Sequence, residues 1–515
     1  SSALARDRAL PRPWLAPWDF MVSPHPGMCD RPSPEGENVT GVPLSSSPIP
    51  RRSILIGTVG MAAAALASCD KASSSTSSTS ANATSRTVTL SIAANAISGG
   101  KSSKEADWFA KYVIPEFIKA QQAKGVTATV SFQPSGVDDE QYKSKLALDL
   151  KSKSGADIVS LDGIWVGEFA QAGYIKPLKD VVGSSVTSWE GWSQIPEAVQ
   201  ANAAFDGNTF GIPAGTDGRV LYFNKKLFAQ AGLPANWQPT SWTDLISAGE
   251  KLATLSGVTP LQIDAGTAMG EATTMQGFLP LLVGAGQQIY ANGKWQGNTQ
   301  AVRDVLTFYQ AILAKKLEDS TLQLAAKGRD ESFGAFAQGK IGVLAEGDYF
   351  WRSVINPNGG DAPMATRDSD VGWAFIPAMA PGKGVGGADY ASMSGGGGYF
   401  LNPSTPYPQQ AWELLTFMSS KAAILARLDG AAQVTARKDV NSEVLSKDPL
   451  LSFVSQKVLP LTHYRPGLAV YPQVSLALQQ ATADVVSGKS PADAATAYQA
   501  ALVKALGGAD QVTTS

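Results

Sequence analysis

Cysteine and histidine are almost missing from this 515-residue chain, which has two of each: Cys29 and Cys69, His25 and His463. Past Cys69 no thiol remains, so that part can form no internal disulfide and offers no thiol catalyst. One histidine in the same stretch excludes a His-rich zinc site and leaves His463 as the only possible base of a Ser/His/Asp triad. Excess charge is lacking too. Lys and Arg number 42 against 44 Asp and Glu, so no electrostatic case exists for nucleic acid. Nor does the uncharged run between Arg52 and Asp70 reach the roughly 20 apolar residues that a membrane-crossing helix needs.

That run is the first informative thing present. RRSILIGTVGMAAAALASC, residues 51–69, has an arginine pair, an Ala-rich core and small residues before Cys69, the pattern of a bacterial lipoprotein signal whose cysteine is acylated after cleavage. Twin-arginine export and the general secretory route both fit Arg51 and Arg52. Residues 1–50 hold ten prolines without apolar periodicity and read as an unstructured prefix; translation from Met21 or Met28 is an option. Residues 70–85 form a Ser/Thr-rich tether, polar and flexible enough to hold a domain off a membrane. The expected location is the outer face of the cell membrane, lipid-anchored through Cys69.

From Arg86 onward 430 residues remain, enough for two lobes with separate cores. Thr87–Ala94 reads as a strand, and Phe109, Val113 and Phe117 recur at helical spacing around Pro115. TATVSFQ is a second strand; Tyr142, Leu146 and Leu150 mark a helix; ADIVSLDG is a short apolar strand ending at Asp162. This alternation predicts parallel α/β layers, whose ligands sit beyond the carboxyl ends of strands, where Asp162 and Trp165 fall. FGIPAGTDGRVLYFN joins two apolar runs across a polar break at Asp217. SWTDLISAGEKLATLSG predicts a helix capped by Thr240, and a last helix is framed by Ser490, Pro491, Asp493 and Gly507.

Taken in order, ADIVSLDGIWVGEFAQAGYIKPL, DGNTFGIPAGTDGRVLYFNKKLFAQAGLP, SWTDL, FAQGKIGVLAEGDYF, VGWAFIPA, GGGGYFL, AWELLTFM, ARKDV and RPGLAVYPQVS resemble extracellular solute-binding proteins of the sugar type, the lipoprotein receptors of ABC importers related to maltose- and trehalose-binding proteins. The resemblance implies an α/β fold of two lobes, each a mixed sheet flanked by helices, with three hinge crossings near Gly215, around residue 384 and near Ala436. Lobe 1 is then 86–214 plus 384–436, and lobe 2 is 215–383 plus 437–508. It implies no catalysis and no cofactor, an oligosaccharide held between the lobes, membrane permease subunits as partners, and a monomer.

A sugar needs paired donors and acceptors for its hydroxyls and flat apolar surface for its C–H faces. By the resemblance Asp162 and Asp217 take hydroxyls, with Arg219 orienting Asp217. Trp165 stacks. Tyr349 stands where the family has a stacking tryptophan, with Trp351 following. Gly396 and Gly397 admit the ligand to the backbone, and Arg465 and Tyr471 form the late wall. Each has an ordinary reading beside this one: Asp162 as a helix cap, Trp165 and Trp351 as core, Arg465 as an ion-pair partner, the glycines as loop. Two rival functions remain. A secreted glycoside hydrolase or lyase would pair Asp162 with Asp217, and a receptor for a metal chelate would lean on tyrosines and His463.

Overall fold

The computed structural model describes residues 82–514. The prefix, the signal segment with Cys69 and nearly all of the tether lie outside the described residues.

Alternating apolar residues build the first strand: in β1 (Thr87–Ala94) Val88, Leu90, Ile92 and Ala94 point inward. β2 (Thr127–Pro134) runs parallel to it, and β3 (Ile158–Asp162), buried along its whole length, lies parallel on its other side. Helix α1 (Asp139–Lys151), which buries Tyr142, Leu146 and Leu150, connects β2 to β3, and α2 (Val166–Gln171) follows β3. β4 (Gly211–Pro213) is the last piece of this sheet before the chain leaves it.

β5 (Arg219–Asn224) opens a second sheet, joined by β6 (Thr259–Gln262), β7 (Ile341–Gly347) and β8 (Val371–Ala374) in the spatial order β8-β5-β7-β6. The two apolar runs on either side of Asp217 are therefore two strands in two sheets, β4 and β5. Between β5 and β6 lies α3 (Trp242–Leu252). Its cap is Ser241, not Thr240: the Ser241 hydroxyl accepts from the Asp244 amide, and Thr240 donates to the Asp244 carboxylate instead. The sequence offers two adjacent hydroxyls, and the acid three residues past Ser241 selects between them.

A short third sheet links these two. β9 (Ile376–Pro377) pairs antiparallel with β10 (Tyr390–Ser394), which pairs parallel with β12 (Thr462–Tyr464). Between β10 and β12, β11 (Gly397–Leu401) returns to the first sheet, antiparallel to β3 and β4, giving the order β2-β1-β3-β11-β4. The molecule is two-lobed, each lobe a mixed sheet flanked by helices. The passage back to the first sheet falls at Gly395 and Gly396, later than the expected residue 384. Residues 382–387 form a turn between β9 and β10, exposed or half-buried except at Gly384, whose amide closes it on the Ala388 carbonyl. Their glycines serve that turn, with positive φ at Gly382, Gly386 and Gly387.

The C-terminal helices α4 (Tyr471–Val486) and α5 (Pro491–Leu506) pack on the second sheet's side. Ser490 caps α5 and Gly507 ends it in the left-handed region, as the sequence predicts. Among the described residues no helix is long and apolar enough to cross a membrane.

Candidate functional site

Each expected polar residue sits where a strand ends or the chain changes sheets. Asp162 is the last residue of β3 and caps the turn that follows, accepting from the Ile164 amide at 3.1 Å. So its ordinary reading as a cap is realised, yet that contact uses one carboxylate oxygen only. Burial raises its pKa above the usual carboxylate value, and the Arg465 charge works against that rise.

Asp217 lies on the first passage between the sheets. One carboxylate oxygen takes the Arg219 guanidinium and also the Gly395 amide at 2.7 Å, so the first and second passages are bound together. Arg219 is itself held by Gln276 Oε1 at 3.0 Å and by the Met393 carbonyl at 3.3 Å. Asp217 keeps 20 % of its side chain accessible while Arg219 keeps 9 %. The arginine is thus a fixed support and the acid the more available group.

Arg465 follows β12 and pairs with Glu271 at 3.2 Å. Glu271 also accepts from the Tyr471 hydroxyl at 2.6 Å and from the Ser475 hydroxyl at 2.5 Å. Burial disfavours the Arg465 charge, but Glu271, Tyr471 and Asp162 outweigh it and push its pKa up, while burial first and Glu271 second raise the Tyr471 phenol. A β-carbon at Gly395 would lie 3.8 Å from Asp217 Oδ1 and 3.9 Å from an Arg465 terminal nitrogen. Asp162, Asp217, Arg219, Arg465 and Tyr471 therefore belong to one cluster where the chain passes between sheets.

Tyr349 adjoins this cluster through its neighbour. Asp348 accepts from the Gly218 amide at 3.0 Å and from Arg352 at 3.1 Å, and the Arg352 guanidinium lies 5.6 Å from the Tyr349 ring centre. Burial raises the Asp348 carboxyl, Arg352 opposes, and the nearby Asp217 adds to the rise.

Trp165 and Trp351 are not in the cluster. Trp165 is 6 % exposed in the core around α1, with the Tyr142 ring 6.4 Å away. Trp351 is 2 % exposed: its indole N–H donates to Asp448, the Arg367 guanidinium lies 4.0 Å over its ring, and Trp373 meets its edge. Neither ring has a face left for a ligand, because both are large apolar bodies inside tight turns and fill the core beneath them. Gly396, at φ +122°, packs against backbone: a β-carbon there would fall 2.4 Å from the Gly215 carbonyl oxygen. Gly397 starts β11 opposite Asp162. Gly396 lets the two passages approach one another at the crossing.

Sequence reasoning missed Glu271, Gln276 and Asp348. Glu271 lies in DAGTAMGEATT, a stretch of small and polar residues past β6, and an acid in a small-residue loop after a strand was the available signal. Alongside the cluster is a hollow of about 1330 Å³, lined by Phe205 and Asn208, by Gln288 and Tyr290, and by residues 460–468. Of the residues expected from sequence, only Arg465 lines it.

The lobes touch through backbone beside the cluster. The Gly467 carbonyl accepts from the Glu168 amide in the first turn of α2 at 2.6 Å, and β-carbons at Gly167 or Gly467 would collide with the opposite main chain. Among the described residues no group of three or more His, Cys, Asp or Glu could hold a metal ion.

A family model described as bacterial extracellular solute-binding protein matches residues 100–424. A binding protein of Brucella abortus is 22 % identical over 425 residues, covering 81 % of this chain and 95 % of its own. Among solved structures, the sugar-binding protein of Xanthomonas citri superposes with a TM-score of 0.64 at 16 % identity, over 81 % of this chain and 97 % of that one. The cyclic α-maltosyl-1,6-maltose binding protein of Arthrobacter globiformis gives 0.61 at 22 %, over 81 % and 98 %.

Proposed function

Because the chain belongs to the bacterial extracellular solute-binding proteins, we propose that it captures a sugar, an oligosaccharide in particular, between its lobes and hands it to a membrane permease of an ABC importer. The observation that carries this reading is the convergence of Asp162, Asp217 and the Arg465–Tyr471 pair from three separated segments on one interlobe cluster. Carboxylates and guanidiniums there supply the donors and acceptors that sugar hydroxyls require. The sugar-binding neighbours support the choice of ligand class.

In this reading Asp217 is the principal ligand residue, Arg219 and Gln276 orient it, Glu271 sets Arg465 and Tyr471, and Tyr349 supplies the flat surface. Lobe 1 comprises 86–214 and the stretch from Gly397 to about residue 436, and lobe 2 the remainder to 508. Cys69 carries the lipid, the tether spans from membrane to domain, and the protein acts as a monomer. No covalent step is assigned to it; the sugar leaves unchanged.

The test is a thermal-shift screen against mono- to trisaccharides. A ligand present at 100 times its dissociation constant stabilises by about 2.7 kcal/mol, and the labelled sugar must be recovered intact. No shift with any saccharide would overturn the reading, and recovery of cleaved sugar would replace it with hydrolysis.

A further inference from the structure

Below the loop that carries Glu271 lies a set of buried polar side chains that the proposed site does not use. At the end of β6, Gln262 is 0 % exposed and Asp264 is 1 % exposed. They share one hydrogen bond, from Gln262 Nε2 to Asp264 Oδ1 at 3.1 Å. The other atom of each, Gln262 Oε1 and Asp264 Oδ2, is buried with no hydrogen-bond partner among the described residues. Both are acceptors when the acid is ionised. Leaving two acceptors unpaired in the interior costs about 1–3 kcal/mol each.

We propose that Asp264 holds a proton on Oδ2 and donates it to Gln262 Oε1, closing a two-bond ring between carboxylic acid and amide. One proton removes both defects at once. The surroundings agree. Burial raises the Asp264 carboxyl to about 7; the Glu346 carboxylate on β7 pushes the same way, and Arg329 opposes. Arg329 is already gripped by Glu346 through two bonds, of 2.7 and 3.0 Å. Glu318, which accepts from the Ile263 amide and from Gln323, is pushed up by burial to about 8 and faces the same cluster. Tyr309 donates its hydroxyl to the Asp264 carbonyl, and Gln323 Oε1 accepts from the Ala265 amide.

The consequence is mechanical. Residues 265–272 leave this cluster directly: Ala265 is tied to Gln323, Gly266 to Thr482 and Thr273 back to Gly266, and the segment ends by presenting Glu271 to Arg465. Ionising Asp264 places an unpaired charge at the root of that loop. The protonated pair holds the loop in register, and the ionised pair loosens it.

The experiment follows melting temperature from pH 5.5 to 9 in the sugar-free protein for wild type and Asp264→Asn, whose amide completes the same ring without titrating. The variant is expected to melt above wild type at pH 8.5 and to release about one proton fewer on passing from low to high pH. An unchanged pH slope means that Asp264 is ionised throughout, with a water completing its bonds, and overturns the proposal. Should the variant fail to fold, carbon-13 carboxyl titration of aspartates in wild type and Glu346→Gln decides. One buried aspartate must titrate near neutrality and shift to lower pH in the variant, with Asp162 unmoved. No such resonance overturns the proposal as well.

Discussion

At Asp217 a single carboxylate oxygen receives both a guanidinium and a backbone amide, from two different passages of the chain. Asp217→Asn keeps the shape and loses the charge, so ligand affinity should fall by about tenfold or more, as for loss of a charged hydrogen bond of about 1.5–3 kcal/mol; calorimetric titration with the best sugar of the screen checks it. Glu271→Gln should weaken binding similarly and also lower the melting temperature, since buried Arg465 loses the carboxylate that offsets its burial. Gly396→Ala should act first on stability. Its backbone conformation and the 2.4 Å approach to Gly215 forbid a β-carbon, and about 2–3 kcal/mol of stability should be lost in denaturant unfolding. At this scale the sequence was partly readable. The place of Asp217 on a passage between sheets is legible because an acid between two apolar runs marks a break, whereas the burial of Trp165 and Trp351 is not, because an indole suits a core as well as a sugar.

Elements were more legible than residues. The alternation of β1 and the 3.6-residue spacing of α1 are local properties, and both appear where they were expected. The second passage between sheets was misplaced for a non-local reason: glycines in 382–387 serve a turn, and those at 395–396 serve a crossing, and nothing in either stretch alone tells which. The break at Asp217, in contrast, is visible in the sequence: the apolar runs of FGIPAGTDGRVLYFN on either side of it fold as strands of two sheets. Trp351 belongs to the turn after β7, where it wedges between Arg367, Trp373 and Asp448. Trp351→Ala should cost about 3–5 kcal/mol of folding stability. Sugar affinity of the folded fraction should stay within a few-fold of wild type, which separates packing from ligand contact in a single titration series.

For the molecule as a whole, buried acids set the response to pH. Burial pushes the Asp264 and Glu318 carboxyls up to about 7 and about 8 in the fold, while in the unfolded chain they stand near the ordinary carboxylate values of 3.8 and 4.5. Between those limits the folded state binds more protons, so stability falls as pH rises, by about 1.4 kcal/mol per pH unit for each excess proton, and levels off above about 8. Thermal melts should therefore show higher stability at pH 6 than at pH 8.5. The proposed lipid anchor is tested separately: Cys69→Ser should move the protein out of the membrane fraction without changing sugar affinity.

The bonds around Asp217 do more than position one acid. Ser394 reaches both the Asp217 carbonyl and Thr462, and Thr216 meets Tyr464 at 2.8 Å, so the first two passages between the sheets and β12 are stitched side by side. Three separate ribbons could each bend by a different amount and let the lobes wobble. Three ribbons sewn together flex as one axle, and whatever touches Asp217 leans on that axle directly.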